Sequence, residues 1–166
     1  MGIFEERQRF TQWWLWFLMT IPLAFMLFKP LKRIIAGETF SIVDLDNGFW
    51  IGLTTMSLVY IFVAICHLTT VIDKNGITYQ LFPFQTSSKR ISWNDLERAY
   101  VGQYKPLSEY GGWGYRLGLG GGRALNVKGN QGIQLKLKNG KKLLLGTQKP
   151  QEARLVIQKY FENERV

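Results

Sequence analysis

The chain has 166 residues, a formal net charge of +9 and a hydrophobic fraction of 46%. Its single cysteine, Cys66, excludes an intrachain disulfide framework, and together with the single histidine, His67, it is too little to form a metal site. The length leaves room for one compact soluble domain beside a membrane segment.

The charge is distributed unevenly along the chain. Residues 1–72 hold five basic and five acidic residues, so that sixteen of the 21 basic and seven of the 12 acidic residues lie in residues 73–166. The whole net charge therefore belongs to the second part of the chain. A basic domain tethered to a bilayer first suggests an anionic lipid surface, and the tether argues against nucleic acid as a partner.

Two uncharged stretches predict membrane-spanning helices. The first runs from Phe10 to Phe28, and the second from Phe49 to about Leu68 within the uncharged run Asn47–Ile72. As a helix this run would be about 39 Å long, enough to cross a hydrocarbon core of about 30 Å. The aromatic residues expected at the membrane interfaces are Trp13, Trp14, Trp16 and Trp50.

Charged residues around the spans predict their orientation. Glu5 and Glu6 precede the first span and no small-x-small site precedes Lys29, which argues against a cleaved signal peptide. Five basic residues flank the outer ends of the hairpin, whereas three lie in its connection, residues 29–46. We therefore expect a multi-pass protein of the inner (cytoplasmic) membrane with both termini in the cytoplasm.

From Thr69 onward the pattern predicts strands. The pairs Asn75-Gly76 and Asn139-Gly140 favour tight hairpin turns, and Thr147 or Lys149 followed by Pro150 favours a helix start. Apolar residues then recur on one helical face, at Ala153, Val156, Ile157, Tyr160 and Phe161. We therefore divide the chain into residues 1–68, an N-terminal segment with a two-helix transmembrane hairpin, and residues 69–166, about seven antiparallel strands in a barrel or sandwich capped by a C-terminal helix.

Particular stretches of this second part resemble a known group of proteins. ISWNDLERAYV and YGGWGYRLGLGGGRALNVKGNQGIQLKLKNGKKLLLGTQKPQEA are similar to bacterial membrane-anchored pleckstrin-homology-like (PH-like) domain proteins, in which such a domain follows a pair of membrane helices. The features that carry the resemblance are Trp93, the Gly111–Gly114 stretch, Arg116, the Asn139-Gly140 turn and the Gly146–Pro150 stretch. The resemblance implies an α+β PH-like fold and a topology, and it transfers no catalytic residue.

The glycine-rich stretch KPLSEYGGWGYRLGLGGG, residues 105–122, is the main candidate for a binding site. It lacks the ending of a P-loop and contains no G-x-G-x-x-G, so it is either a flexible strand connection or a loop that orders on a ligand. Aromatic and basic side chains in and around it predict a ligand- or partner-binding surface. A structural role is the alternative, in which Trp113 fills the core and Arg116 pairs with Glu109 or Asp95. The predicted binding residues are Tyr110, Trp113, Arg116, Arg123, Lys89 and Arg90.

No catalytic constellation accompanies these residues. There is no G-x-S-x-G, and Asp95 and Glu97 lie in a pattern typical of a turn rather than of an acid/base pair. We therefore expect no enzyme activity, no cofactor and no metal. The predicted function is a binding or assembly module for membrane protein partners or for copies of the chain itself. A sensor of anionic lipid head groups is the alternative, and an enzyme is a remote one.

Overall fold

The structure is a computed structural model that describes residues 3–39, 41, 45–118 and 122–162. Two compact units divide the chain, one formed by Thr11–Ala64 and the other by Met1–Phe10 with Ile65–Val166. The helices of the described residues are α1 (Trp13–Ile35), α2 (Asn47–Ile65), α3 (Pro106–Tyr110) and α4 (Pro150–Ile157). The strands are β1 (Phe4–Arg9), β2 (His67–Asp73), β3 (Gly76–Phe82), β4 (Lys89–Ile91), β5 (Leu96–Gln103), β6 (Gly114–Leu117), β7 (Arg123–Asn126), β8 (Gln131–Leu137) and β9 (Lys142–Gly146).

The two long helices, α1 and α2, are long and apolar enough to span a membrane. They contain 23 and 19 residues, with mean hydropathies of 1.5 and 1.9, and no residue of either apolar window is buried. α1 continues past the predicted end at Phe28 through Lys29 and Pro30 to Ile35. α2 ends at Ile65, three residues before the predicted Leu68, because the β-branched residues that follow it begin a strand.

Within their own unit, α1 and α2 form an antiparallel hairpin. The Trp16 ring near the start of α1 lies 6.1 Å from the Tyr60 ring near the end of α2. A Cβ atom placed on Gly52 would lie 3.3 Å from the Met26 sulfur, so the Met26 side chain packs against Gly52. Trp13, Trp14 and Trp50 are exposed near the N-terminal ends of the two helices.

A four-stranded antiparallel sheet has the order β1-β2-β3-β4. Its first strand pairs with the second from Phe4 opposite Ile72 to Arg9 opposite His67. The sequence alone groups residues 1–9 with the helical hairpin, whereas the structure pairs Phe4–Arg9 of this segment with β2. The inward-facing positions of β1 include Glu6 and Gln8, and these polar residues hide the period-two pattern that would predict a strand.

A buried polar cluster explains why polar residues face inward in β1. Glu6 is 6% exposed, and its carboxylate accepts hydrogen bonds from the Thr147 hydroxyl at 2.7 Å and from the Gln148 backbone N–H at 2.8 Å. The Gln8 side-chain amide donates to the Gly146 carbonyl at 2.6 Å. These bonds connect the edge strand to the segment that leads from β9 into α4.

A five-stranded sheet has the order β5-β8-β9-β7-β6. Its β7 and β9 run parallel, so the prediction of antiparallel strands is wrong at this pair. The described residues form nine strands in two sheets, where about seven strands in a barrel or sandwich are predicted, and these sheets do not close into one barrel. β1 and β4 account for the difference, because polar residues hide the alternation of β1 and the three residues of β4 carry too little periodicity to be recognised.

The main hydrophobic core lies between side chains of both sheets and α4. Fully buried members include Leu68, Ile77, Ile133 and Leu145. α4 and the π-helical turn Gln158–Glu162 that follows it add the predicted apolar face, since Ala153, Ile157 and Phe161 are buried and Val156 and Tyr160 pack against the cluster. The prediction that a C-terminal helix packs on the strands is therefore confirmed.

The turn between β2 and β3 requires its glycine. Gly76 has a φ of +139°, and a Cβ atom there would lie 2.1 Å from the Ile91 carbonyl oxygen. The Trp93 indole nitrogen donates to the Asp73 carbonyl at 3.0 Å beside this turn. The Asn-Gly pair thus allows a tight turn and the close approach of β4.

Candidate binding face

The glycine-rich stretch positions two of the predicted binding residues by backbone contacts. Trp113 is half-buried and its indole N–H donates to the Gly129 carbonyl at 2.9 Å. Arg116 is exposed, and its Nε donates to the Trp113 carbonyl at 3.1 Å. Among the described residues no carboxylate lies within ion-pair distance of Arg116, so pairing with Glu109 or Asp95 is not formed.

Arg116 and Arg123 lie on opposite faces of the β6–β7 pair. Arg116 is opposite Ala124 and Leu117 is opposite Arg123 in the antiparallel register. Because successive side chains of a strand point to opposite faces, the two guanidinium groups leave the sheet in opposite directions. The structure thus divides the predicted site between two surfaces.

Lys89 and Arg90 belong to the other sheet. Lys89 is opposite Tyr79 on β3, and Arg90 donates from Nε to the Thr78 hydroxyl at 3.0 Å. The Arg90 guanidinium also lies 3.8 Å from the Asp73 carboxylate, both being partly exposed. Neither residue lies on the same sheet as the glycine-rich stretch.

The five-stranded sheet has one face toward the core and a second, which we call the outer face. Val101, Ile133, Leu135, Leu143 and Leu125 belong to the core, so the alternate residues of the same strands form the outer face. The outer face comprises Arg98 and Tyr100 of β5, Gln134 and Lys136 of β8, Lys142 and Leu144 of β9, Ala124 of β7 and Arg116 of β6.

Helix α3 and the ends of the glycine-rich stretch cover part of the outer face. Tyr110, the last residue of α3, packs against a small cluster of Tyr104, Ala124 and Leu144. A Cβ atom on Gly118 would lie 2.6 Å from the Tyr110 ring, so glycine is needed there for the ring to fit. A Cβ atom on Gly122 would lie 3.1 Å from Cβ of Lys142. The described ends of the stretch therefore have a packing role; residues 119–121 lie outside the described residues.

Two shallow depressions lie on the outer face. One, of about 200 Å³, is lined by side chains that include Arg98, Tyr100 and Lys136, and the other, of about 390 Å³, by Ser108 and Gly118 among others. Both are lined by Tyr110, Gln134 and Lys142. The two depressions therefore adjoin and together form a groove bounded by α3 and the glycine-rich stretch.

The groove is positively charged. Lys136 pairs with Glu97 at 2.6 Å, whereas Arg98 and Lys142 have no hydrogen-bond or ion-pair partner in the part of the chain that the structure describes. The Tyr100 hydroxyl donates to the Gln134 amide oxygen at 2.8 Å, which orients both side chains. Two unneutralised cations beside an exposed phenol ring can bind a carboxylate or another anionic group.

Two tyrosines, Tyr104 and Tyr110, have raised pKa values and stay protonated at physiological pH. Burial raises the pKa of the Tyr110 phenol, and the neighbouring Glu109 carboxylate raises this pKa further. Burial also raises the pKa of Tyr104, although the hydrogen bond from the Asn126 amide at 3.0 Å lowers it in part. Protonated phenols remain able to donate hydrogen bonds to an anion.

The described residues offer little for metal binding or acid–base chemistry. They contain no group of three His, Cys, Asp or Glu side chains that could hold a metal ion. Of the two acidic residues considered above, Glu97 is paired with Lys136 and Asp95 lies in the short 3-10 turn before β5. His67 stacks on Phe82 at 5.4 Å, with its Nε2 at 3.1 Å from the Arg7 guanidinium.

Sequence reasoning did not identify Arg98, Tyr100 and Lys142 as binding residues. The alternation in ERAYV, IQLKL and KLLLG would have placed them opposite the core residues, and this is the signal that could have found them. It could not show that β5, β8 and β9 are neighbours. No family model, curated protein or solved structure matches the chain.

Proposed function

We propose that this chain is an integral membrane protein whose sheet unit, a PH-like domain, binds membrane protein partners or copies of itself. The occupant of the outer-face groove is an extended acidic segment of such a partner. The observation that carries the proposal is the pair of unneutralised cations, Arg98 and Lys142, beside the exposed Tyr100.

Charge complementarity supports an acidic segment as the occupant. Both depressions are lined by Lys142, and the first also by Arg98 and Lys136. The described lining of the first contains no carboxylate, and that of the second contains one, Glu109. The Tyr100 ring is 52% exposed and gives a peptide an apolar surface beside these cations. Arginine and tyrosine are the residue types that dominate binding hot spots.

The pairing of β1 with β2 supports the proposal that both chain termini lie on the same side of the membrane. β1 precedes the first apolar helix and β2 follows the second, and the two strands are hydrogen-bonded neighbours. Strands of one sheet must share a compartment, so the hairpin enters and leaves the membrane on the same side. The basic excess at its outer ends favours the cytoplasmic side of the inner membrane for both termini. Impermeant labelling of single cysteines at positions 5, 38 and 128 in intact cells tests this, with reaction expected at position 38 alone.

The function is tested by photo-crosslinking of the full chain in its native membrane. A photoreactive side chain at position 100, on the groove, is compared with one at position 75, on the exposed turn between β2 and β3. We expect a discrete protein adduct from position 100 only, mapped to a peptide rich in Asp and Glu. An adduct with the chain itself would identify a second copy as the partner.

Charge reversal distinguishes specific recognition from incidental proximity. The double change Arg98→Glu with Lys142→Glu should weaken capture at least tenfold, about 1.4 kcal/mol. The matched change Lys74→Glu with Lys138→Glu, on exposed turns away from the groove, alters net charge equally and should leave capture unchanged. Equal losses in both variants, or an adduct from position 75 as well, would contradict the proposal.

Binding of anionic lipid head groups is the second candidate function. It is favoured by the location of the whole net charge of +9 in residues 73–166. Head-group attraction fades over physiological ionic strengths, because the Debye length there is about 8 Å. Lipid adducts from position 100 that disappear as salt is raised would favour this function over a protein partner.

A further inference from the structure

Three exposed side chains on the sheet unit form an aromatic and aliphatic patch that the binding groove does not use. They are Phe84, Tyr115 and Leu117, which are 55%, 36% and 73% exposed. The Phe84 and Tyr115 rings stack with centroids 6.3 Å apart. Tyr115 and Leu117 share one face of β6, the face opposite to that of Arg116. We call these three residues the aromatic patch.

The aromatic patch lies at one defined end of the four-stranded sheet. The register pairs Arg9 with His67 and His67 with Phe82, so the three strands end together. Phe84 follows Phe82 after a single residue. The chain therefore leaves β1, enters β2 and turns out of β3 at the same end of the sheet.

Both segments that lead to the apolar helices attach at this end. α1 begins at Trp13, four residues after Arg9, and α2 ends at Ile65, two residues before His67. At about 3.5 Å per residue, these two connections can span at most about 14 Å and about 7 Å. When the helices cross a membrane, these short connections hold this end of the sheet near the bilayer surface.

One basic side chain borders the patch, and two others lie at the same end of the four-stranded sheet. Arg123 is directly opposite Leu117, and it lies close enough to Tyr79 to lower the pKa of that phenol against the larger effect of burial. Arg7 and Arg9 are exposed on β1 at the same end of the sheet. Aromatic and aliphatic side chains flanked by arginines are typical of protein surfaces that insert into the head-group region.

We propose that the aromatic patch inserts into the interface of the bilayer that the two apolar helices cross, and so fixes the orientation of the sheet unit on the membrane. The occupant is lipid, because the patch is apolar at its centre and cationic at its edge. This inference rests on the proposed membrane insertion of α1 and α2. Insertion would reach about 5–10 Å, to the boundary between head groups and acyl chains.

The test uses the full chain with Cys66→Ala, reconstituted in phosphatidylcholine vesicles with and without phosphatidylglycerol. Single cysteines from Phe84→Cys, Leu117→Cys and, as the matched control, Lys74→Cys carry an environment-sensitive fluorophore. Lys74 is exposed on the turn at the opposite end of the same sheet. We expect quenching by nitroxide-labelled lipids at positions 84 and 117 and by aqueous iodide at position 74, in both vesicle types. Adding Phe84→Asp should restore iodide quenching at position 117.

Each other outcome overturns the inference in a distinguishable way. Equal iodide quenching at positions 84, 117 and 74 means that the patch does not contact lipid. Protection that requires phosphatidylglycerol and disappears at high salt means that charge, and not the apolar patch, holds the unit on the surface. Extraction of the chain from native membranes by alkaline carbonate would refute the membrane insertion itself.

Discussion

The change Glu6→Ala is expected to destabilise the sheet unit strongly, although Glu6 precedes both apolar helices in the chain. The buried carboxylate of Glu6 accepts hydrogen bonds from the Thr147 hydroxyl and from the Gln148 backbone N–H. Alanine would leave both the Gln148 backbone N–H and the Thr147 hydroxyl without the carboxylate that accepts their hydrogen bonds. Of the side-chain hydrogen bonds between β1 and the segment that leads from β9 into α4, the bond from Gln8 to the Gly146 carbonyl would remain.

The magnitude follows from the two bonds that are lost. A hydrogen bond to a charged group contributes about 1.5–3 kcal/mol, and release of a carboxylate from burial returns part of the sum. We expect the free energy of unfolding to fall by about 3 kcal/mol for Glu6→Ala. Glu6→Gln keeps an oxygen acceptor and should cost about 1 kcal/mol. Glu5→Ala, on the exposed face of the same strand, should change it by less than about 0.5 kcal/mol.

The measurement is urea unfolding of the full chain in detergent micelles, with pulse proteolysis reporting the folded fraction of the sheet unit. Thr147→Val, alone and combined with Glu6→Ala, completes a double-mutant cycle with an expected coupling energy of about 1–2 kcal/mol. The reasoning is refuted if Glu6→Ala costs no more than Glu5→Ala, or if the two changes at positions 6 and 147 are additive.

Two further predictions use the same unfolding measurement. Ile157→Asp would bury a charge at a site that is 3% exposed and should cost about 4 kcal/mol or more, whereas Leu155→Asp, at a residue of the same helix that is 67% exposed, should cost less than about 0.5 kcal/mol. Burial raises the pKa of Tyr104 and Tyr110 above the usual value of about 10. The unfolded chain therefore loses these protons first, and the free energy of unfolding should fall as pH rises above about 10, less steeply in Tyr104→Phe.

Elements with a strong local pattern could be predicted from the sequence. The apolar helices follow from uncharged stretches, the β2–β3 and β8–β9 hairpins from their Asn-Gly turns, and α4 from Pro150 with its apolar face. Each of these signals is contained within about thirty consecutive residues. The elements can therefore be predicted without knowing which residues pack against them.

Elements that depend on distant partners could not be predicted. β1 carries polar residues at inward positions because Glu6 binds Thr147 and Gln148, which lie near the other end of the chain. The parallel pairing of β7 with β9 is likewise a property of the assembled sheet. Prediction from the hydrophobic pattern treats a carboxylate at an inward-facing position as a sign of a loop. The sequence does not show the distant hydrogen-bond partner that allows this position to lie in a strand.

The outer-face groove could not be predicted for a related reason. Proximity in sequence to a glycine-rich stretch groups Arg116 with Arg123, although strand alternation sends their side chains to opposite faces. The groove instead collects Arg98, Tyr100 and Lys142 from strands that are neighbours only in the sheet. The face of a sheet is formed by residues from several neighbouring strands. Proximity in the sequence therefore does not predict which residues share that face.

The order of the strands also links formation of the sheet to the helical hairpin. β1 and β2 are adjacent in the sheet, yet the whole of α1 and α2 separates them in the chain. Pairing them from an unfolded chain requires closure of a long loop, whose entropic cost opposes folding. Once α1 and α2 have formed their antiparallel hairpin, its two ends are close together and most of that cost has already been met. The Glu6 hydrogen bonds therefore form at a lower entropic cost when the hairpin is present, so the stability of β1 depends on the hairpin as well as on the sheet.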